Sequence, residues 1–417
     1  MGHIPCRFLC KRHTLYFKTQ YSYLLGRDCH FVSYLYDAYI KNETQQKWFS
    51  KIDILASKFA ERADKHDREG SFPFENVDEL KKAGYLSLTI PKEFGGEGLS
   101  LYEFVLLQER IAAGDAATAL CLGWHLGCFL ELSEERSWKE ETFRSLCEKV
   151  VNNQVLVNRA ASEPATGSPT RGGMPQTKAV KRGDDWVING TKTFTSMAPA
   201  LDHAIVSAQI GDTGKKGNFL IDMKQDGVTI EETWDTVAMR GTRSDDLVMK
   251  DVKVNDESLV EEERGKLDFP KAWLLHIPAC YLGVAVAGRN EAVNFAKSYK
   301  PNSLPGAIAE VPEVQRKIGE MELELFKARE LLYSTAAKWV NEPESRMEMG
   351  PSLMAVKHVA TNSAAKVVDL AMRIVGARSL AMSSPLQRHY RDVRAGLHNP
   401  PMDDMVISSL AKRALNE

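Results

Sequence analysis

Three short stretches of this chain combine residue types that could do chemistry. The first is Ser162-Glu163-Pro164-Ala165-Thr166-Gly167-Ser168, and the second is Ile188-Asn189-Gly190-Thr191-Lys192-Thr193-Phe194-Thr195-Ser196. Both offer hydroxyl and backbone donors, and the second adds an aromatic ring. The third is Leu397-His398-Asn399-Pro400, where a neutral imidazole is a competent base near neutral pH. Each has a plainer reading: Phe194 as core, Thr195 and Ser196 as a strand end, His398 as a loop histidine that caps the next helix. Asp403 and Asp404, just downstream, read as helix-start acids and as weaker bases. The general signatures are absent: no GxGxxG opening a helix, no GxxxxGK[ST], no HExxH and no GxSxG. Gly95-Gly96-Glu97-Gly98 is glycine-rich, but no helix N-terminus comes at once after it to hold a phosphate, so it reads as a tight turn.

The elements that must position these stretches can be read from hydrophobic period. From Asn42 the pattern is helical: Trp48, Ile52, Leu55 and Phe59 share one face. Glu75–Ala83 reads as a second helix closed by Gly84, and further helices are expected around Tyr102–Ala113, Ala116–Leu132 and Trp138–Val151. The period then changes. Lys178–Gly183 and Asp185–Ile188 flank a Gly183-Asp184 hairpin signal, and Ala204–Ile210, Asn218–Met223 and Leu247–Val254 have strand length and pattern. Beyond Leu267 long helices return, with one stripe at Ile318, Met321, Leu325, Ala328 and Leu332 and another at Ala360, Ala364, Val367, Ala371 and Ile374. Such stripes suggest a four-helix bundle and subunit contacts. The expected fold is therefore α+β and multidomain. An N-terminal α-helical bundle (42–153) precedes a barrel- or sandwich-like β domain (154–262) and a C-terminal four-helix bundle (263–417), with 1–41 as an extension outside the fold.

Composition narrows the function classes. Of 417 residues, 54 are Lys or Arg and 56 are Asp or Glu; that balance lacks the basic footprint of a nucleic-acid binder. No run of eighteen apolar residues is found, so no membrane insertion is expected. The seven cysteines are irregularly spaced without a CxxC, which reads as reduced, mostly buried thiols in the cytoplasm. A metal site from Cys6, Cys10 and Cys29 with His3, His13 or His30 matches no zinc spacing. The first forty residues are acid-poor and aromatic, but neither clearly a transit peptide nor a secretory signal.

Together with Ala238-Met239-Arg240-Gly241-Thr242-Arg243-Ser244, the two middle stretches resemble the motifs of the acyl-CoA dehydrogenase family, whose usual forms are TEPxxGSD, INGxKxW(I/F)(T/S)N and MGxRGS/T. The resemblance extends over residues 42–415. Gly84 through Pro91-Lys92-Glu93-Phe94-Gly95-Gly96-Glu97-Gly98 looks like the family's N-terminal signature, Gln315, Ile318, Gly319, Glu320 and Met321 like a third-domain helix, and Tyr390-Arg391-Asp392 like its YRD. The resemblance implies FAD between the β domain and the C-terminal bundle, in a tetramer. It assigns Ser162, Gly167, Ser168, Thr195 and Ser196 to the cofactor, with Phe194 packing on the flavin face in place of the commoner Trp. Arg373 and Gly376 would reach the phosphates, and Arg243, Trp273 and His276 the substrate. The implied reaction is α,β-dehydrogenation of an acyl-CoA thioester with hydride transfer to flavin N5, electrons then passing to an electron-transfer flavoprotein.

The pattern breaks at the base. The family's catalytic Glu comes after YRD, and an ungapped register puts Pro400 there. A minority carry it on an earlier helix, at the position that the Leu282-Gly283 anchor assigns here to Trp273. RxxFG is replaced by Lys300-Pro301-Asn302-Ser303-Leu304-Pro305-Gly306, and QxxGGxG appears as Arg373-Ile374-Val375-Gly376-Ala377-Arg378-Ser379, so Arg373 and Arg378 either pair phosphate or are surface charges. His398 is the substitute base. A Leu-His-Asn-Pro segment also looks like that of two-component flavin-dependent monooxygenases of the same fold, which take reduced FMN or FAD from a flavin reductase. A third reading is an inactive, FAD-stabilised binding protein.

Overall fold

The computed structural model describes residues 35–166, 173–262 and 269–416. Backbone contacts divide the chain into two units, Met1–Gln46 and Lys47–Glu417. In the first, Asn42 Oδ1 accepts the Gln45 N–H at 2.9 Å and so caps helix α1, Glu43–Glu69, by satisfying one of its orphan donors. The possible metal ligands among Cys6, Cys10, Cys29 and their neighbouring histidines lie outside the described residues.

In the second unit α1 buries Ile52, Ala56, Phe59 and Ala63 on one face. Helix α2, Phe74–Lys82, ends before Gly84, whose φ of 77° supplies the left-handed stop. The expected tight turn comes next: a Cβ on Gly96 would stand 2.2 Å from the Ile90 carbonyl oxygen, so only glycine fits. Helix α3, Leu101–Gly114, starts on a Ser100–Glu103 capping box. Asp115 caps α4, Ala116–Glu135, by accepting the Thr118 N–H at 3.0 Å. Helix α5 spans Glu140–Asn153.

The middle domain is one mixed eight-stranded sheet. Its strands are β1 Val157–Ala160, β2 Lys178–Arg182, β3 Asp185–Lys192, β4 His203–Ile210, β5 Lys215–Asp222, β6 Val228–Glu231, β7 Asp246–Asn255 and β8 Leu259–Glu262. The order is β6-β7-β3-β2-β4-β5-β8, with β1 parallel to β4. Alternate residues of β3, β4, β5 and β7, among them Ile188, Val206, Phe219 and Leu247, form its core. The β3–β7 register slips between Ile188 and Gly190. Gly190 is required there: its φ is 155°, and a Cβ would meet Thr177 Oγ1 at 2.4 Å. The bulge re-aims the end of β3, which carries Lys192 and leads into Phe194.

The C-terminal helices are α6 His276–Ser298, α7 Pro312–Asn341, α8 Gly350–Val375, α9 Pro385–His398 and α10 Asp403–Asn416. Helix α8 packs against α6, α7, α9 and α10, and the whole Ala360–Ile374 stripe is buried. A buried Arg329–Glu109 pair at 2.9 Å, with Tyr333 Oη donating to Glu109 at 2.6 Å, ties α7 to α3. Two helical stretches, Ala116–Glu135 and Ala272–Ser298, have the length and mean hydropathy of a membrane span although neither is a continuous apolar run. In both, 89% of the apolar window is buried inside the fold, the environment of a core helix.

Arg391 and Asp392 latch α9 to the other two parts. Arg391 pairs with Asp67 of α1 and donates to the Val237 carbonyl oxygen at 2.5 Å. Asp392 Oδ1 accepts the Met239 N–H at 2.6 Å. The Asp392 side chain borders a small niche with His66, Asp115 and Arg388, and burial pushes its carboxyl up to about 7 against that N–H and Arg388. A carboxyl raised in the fold binds its proton more tightly there than in the unfolded chain. The contribution of this carboxyl to stability is therefore lost as pH rises from about 4 to about 7, by up to roughly 4 kcal/mol. Asp392→Asn keeps the acceptor and abolishes the titration. Its melting temperature relative to the parent should climb over that interval and level off above it; a difference independent of pH in thermal scans would refute this.

Candidate active site

The site is built around a buried ion pair. Lys192 Nζ lies 2.6 Å from Glu163 Oε1, with side chains 0% and 2% exposed. Glu163 also accepts the Gln176 and Thr177 N–H groups at 2.5 and 3.1 Å, and Lys192 donates to Ser207 Oγ at 3.1 Å. Burial works to raise the Glu163 carboxyl, but Lys192 and these donors outweigh it and hold it below its ordinary value. Ser162, adjacent to Glu163, accepts the Thr193 N–H at its carbonyl oxygen at 3.0 Å. The first two chemistry-bearing stretches are thus clamped side by side. Gly167 and Ser168 lie outside the described residues.

Past the clamp the backbone turns sharply. Phe194 and Met197 both have φ of 57°, a conformation that a bulky side chain adopts at a cost of about 1 kcal/mol or more. It persists because neighbours over-determine it: the Thr195 N–H donates to the Asp245 carbonyl oxygen and the Met197 N–H to that of Thr242. Ser196 Oγ bonds Ser244 Oγ at 3.0 Å, and its carbonyl oxygen accepts from Asn158 Nδ2. Phe194 is left 64% exposed, its ring edge-on to Trp234. Thr195 Oγ1 is buried and, among the described residues, without a partner. Arg243 is engaged locally, by Asp245 at 2.8 Å and Glu232 at 3.1 Å.

Helix α4 joins this turn to the bundle. Its Cys121 Sγ points at the same Thr242 carbonyl oxygen, 3.6 Å away. Its His125 accepts the Val157 N–H at Nδ1 and donates from Nε2 to the Leu86 carbonyl oxygen. On another face lie Trp273, in the 3-10 turn Ala272–Leu275, and His276, the first residue of α6. Their rings are parallel, 6.0 Å apart. Phe104 stacks on His276, and Trp124 of α4 meets His276 edge-on at 4.7 Å. Burial pushes the His276 imidazole down to about 3, so it is neutral. Burial also raises the thiols of Cys128 and Cys147 to about 12; with Cys121 and Cys280 they are free and buried.

His398 closes α9 and is exposed. Its turn is pinned: Tyr281 Oη of α6 donates to Asn399 Oδ1 at 2.5 Å, and Gly396 packs on the Tyr281 ring. The Pro400-Pro401 peptide is cis. No hydrogen bond or ion pair joins His398 to Ser162, Thr195 or His276 among the described residues. Arg373 is exposed on α8 and pairs with Asp369 at 2.7 Å; Gly376, φ 70°, ends that helix. Arg378 stacks on Tyr299. The structure therefore joins Ser162 to Thr193, which leads into Thr195 and Ser196, and brings Trp273 together with His276. Arg373 and Gly376 stand apart on the bundle. Glu163, Lys192, Trp124 and Gln108 were not singled out as site residues by sequence; Glu163 and Lys192 were spelled in the motifs, but their pairing needed the fold.

Family models match almost the whole described chain: "Acyl-CoA dehydrogenase, N-terminal domain" over residues 42–155, "middle domain" over 158–252 and "C-terminal domain" over 275–399. "Putative acyl-CoA dehydrogenase YdbM" of Bacillus subtilis (strain 168) is 52% identical over 377 residues, covering 90% of this chain and 98% of its own. The structure of butyryl-CoA dehydrogenase from Megasphaera elsdenii superposes with a TM-score of 0.80 at 24% identity, over 90% of this chain and 99% of that one. TdsC from Paenibacillus sp. A11-2, in complex with FMN and indole, superposes with a TM-score of 0.79 at 25% identity, over 88% and 96%.

Removing one member of the buried pair leaves the other charge stranded. Lys192→Met should lower stability by about 3–5 kcal/mol, read as a shifted denaturant midpoint. Lys192→Met combined with Glu163→Gln should recover part of that loss. A single variant as stable as the parent would show that the pair does not hold the loop.

Proposed function

The chain belongs to the acyl-CoA dehydrogenase family, and on that footing we propose that it is an FAD-dependent oxidoreductase that α,β-dehydrogenates an acyl-CoA thioester. The observation that carries the cofactor assignment is the Phe194–Ser196 turn. Its exposed ring, strained backbone and unpartnered buried hydroxyl fit a planar heterocycle with hydrogen-bonding edges. Ser162, Thr195 and Ser196 would hold that edge and Phe194 would pack on the face; Gly167 and Ser168, outside the described residues, are proposed for the cofactor on the family motif alone. Arg373 and Gly376 are proposed for the phosphates from the bundle. FAD supplies the hydride acceptor.

In this reading the substrate's α-proton goes to His398. Pro400 and Trp273 occupy the two positions where the family carries its carboxylate, and neither can take a proton. The imidazole stands on a turn that Tyr281 and Asn399 hold rigid. Arg243 is a proposed substrate contact only if substrate displaces Glu232, its more exposed partner. An electron-transfer flavoprotein is the proposed acceptor of the electrons. A homotetramer is proposed on the family pattern, with Leu323 and Phe326 exposed on α7 as apolar surface. A cytoplasmic location agrees with the free thiols.

A second reading has its own support. The missing carboxylates and the likeness to TdsC, a dibenzothiophene monooxygenase, favour a two-component monooxygenase that uses reduced flavin and O2. The test is anaerobic mixing of oxidised holoenzyme with a panel of acyl-CoA thioesters. Bleaching of the flavin's visible absorbance without oxygen supports dehydrogenation. No bleaching with any thioester, with substrate oxygenation on adding a flavin reductase and air, supports the second reading. His398→Ala should slow the bleaching about a hundredfold, the scale of a general base; a rate within about threefold of the parent would remove His398 from the chemistry. Ser162→Ala with Thr195→Ala should weaken flavin retention about tenfold, the worth of one or two hydrogen bonds. A double variant that purifies as yellow as the parent would disprove the flavin-site assignment.

A further inference from the structure

The aromatic cluster between α3, α4 and α6 contains hydrogen-bonding atoms that nothing in the protein satisfies. Trp273 Nε1, both ring nitrogens of His276 and Gln108 Oε1 are buried without a partner among the described residues. The Gln108 amide nitrogen is engaged, donating to the Ala119 carbonyl oxygen at 2.7 Å. The free set is therefore mixed. Trp273 can only donate, Gln108 Oε1 can only accept, and a neutral imidazole offers one of each.

These atoms lie close together. A Cβ on Gly123 would stand 2.3 Å from His276 Nδ1 and 2.5 Å from Gln108 Nε2, and one on Gly127 would stand 2.4 Å from the Trp273 ring. The two glycines, one turn apart on α4, let the imidazole and indole seat against the helix backbone. Phe104, Gln108, Trp273 and His276 are all buried, whereas Trp124 is half-buried. Trp124 is thus the open side of the cluster. It lies one turn along α4 from Cys121, whose sulfur meets the same Thr242 carbonyl oxygen that accepts the Met197 N–H. The half-buried Trp124 and the Phe194–Ser196 turn thus both border the Cys121–Trp124 turn of α4.

Buried polar atoms in native proteins are almost always satisfied, and leaving them dry is costly. A saturated hydrocarbon chain entering past Trp124 would satisfy none of these. We propose that Trp273, His276 and Gln108 recognise a hydroxyl or carbonyl oxygen on the acyl group, remote from the thioester. Compact oxygen-bearing acyl groups then bind in preference to unbranched alkyl chains. The inference rests on the acyl-CoA reading above and names the substrate class for that site.

The test uses two inert thioethers, S-butyl-CoA and S-(4-hydroxybutyl)-CoA, titrated into purified holoenzyme by calorimetry. Neither can be dehydrogenated beside a thioester, so binding is read apart from chemistry. The hydroxylated ligand should bind about tenfold more tightly. His276→Phe, and independently Trp273→Phe, should erase or reverse that ratio. His276→Gln, which keeps a donor and an acceptor, should hold it to within about threefold. A merely structural role would weaken both ligands alike and leave the ratio intact. Equal affinity in the parent, or an unchanged ratio in His276→Phe, overturns the proposal while the acyl-CoA reading stands. Binding of neither thioether by the parent refutes the acyl-CoA reading, and this proposal falls with it.

Discussion

The Glu163–Lys192 pair is the contact on which the rest of the site depends. Removing both charges from water costs several kcal/mol for each ion before any interaction is counted. The cost is offset only by a full set of partners: the ion pair itself, two backbone N–H groups on the carboxylate and a serine hydroxyl on the ammonium. None of these partners tolerates a shift of register. The pair therefore fixes where β3 ends relative to the loop after β1. The Gly190 bulge works with it, because a strand in regular register would carry Lys192 to the other side of the sheet.

Beyond the clamp lies a segment whose backbone no local preference would choose. Phe194 and Met197 sit in the left-handed region, and the turn is held by hydrogen bonds to residues 242–245 on a separate loop. That loop is in turn held by Asp392 through Met239 and touched by Cys121 of α4. One rigid path therefore runs from the sheet through the 239–245 loop to α9 and α4. The constrained turn holds the Phe194 ring exposed, which is what the proposed flavin contact needs.

Much of this was legible in the sequence, for identifiable reasons. The long helices announced themselves by stripes such as Ala360, Ala364, Val367 and Ala371, and the β2–β3 hairpin by Gly183-Asp184. Strands β1, β6 and β8 did not, because each is four residues long and too short to establish a period of two. Helix α4 was legible as a helix but not as a wall of the site. It is buried on nearly every face, so no stripe set Trp124 or Gly123 apart from ordinary core. The Glu163–Lys192 pair joins residues far apart in the chain, and only the sheet register shows that they meet. Arg243 looked available from its motif, yet Asp245 two residues on occupies it, a local pairing that the spacing alone leaves undecided.

The environment around Trp273 also explains why a carboxylate would be misplaced there in this chain. A Glu at that position would lie against Trp124 and a neutral His276 that itself stacks on Phe104. With no cation among those aromatic neighbours, desolvation would favour its protonated form. Such a group would have to be supported by rebuilding the cluster, and Gly123 and Gly127 show that α4 is already shaped to the rings present. The turn after α9 is equally committed: Asn399 is fixed on Tyr281, and Gly396 is seated on the same ring. Among Gly396–Pro401 the one side chain that can exchange a proton is His398, and no hydrogen bond from the described residues engages it. On the reading proposed above, packing closes both places where a carboxylate would stand, and His398, at the mouth of the same turn, would take the proton.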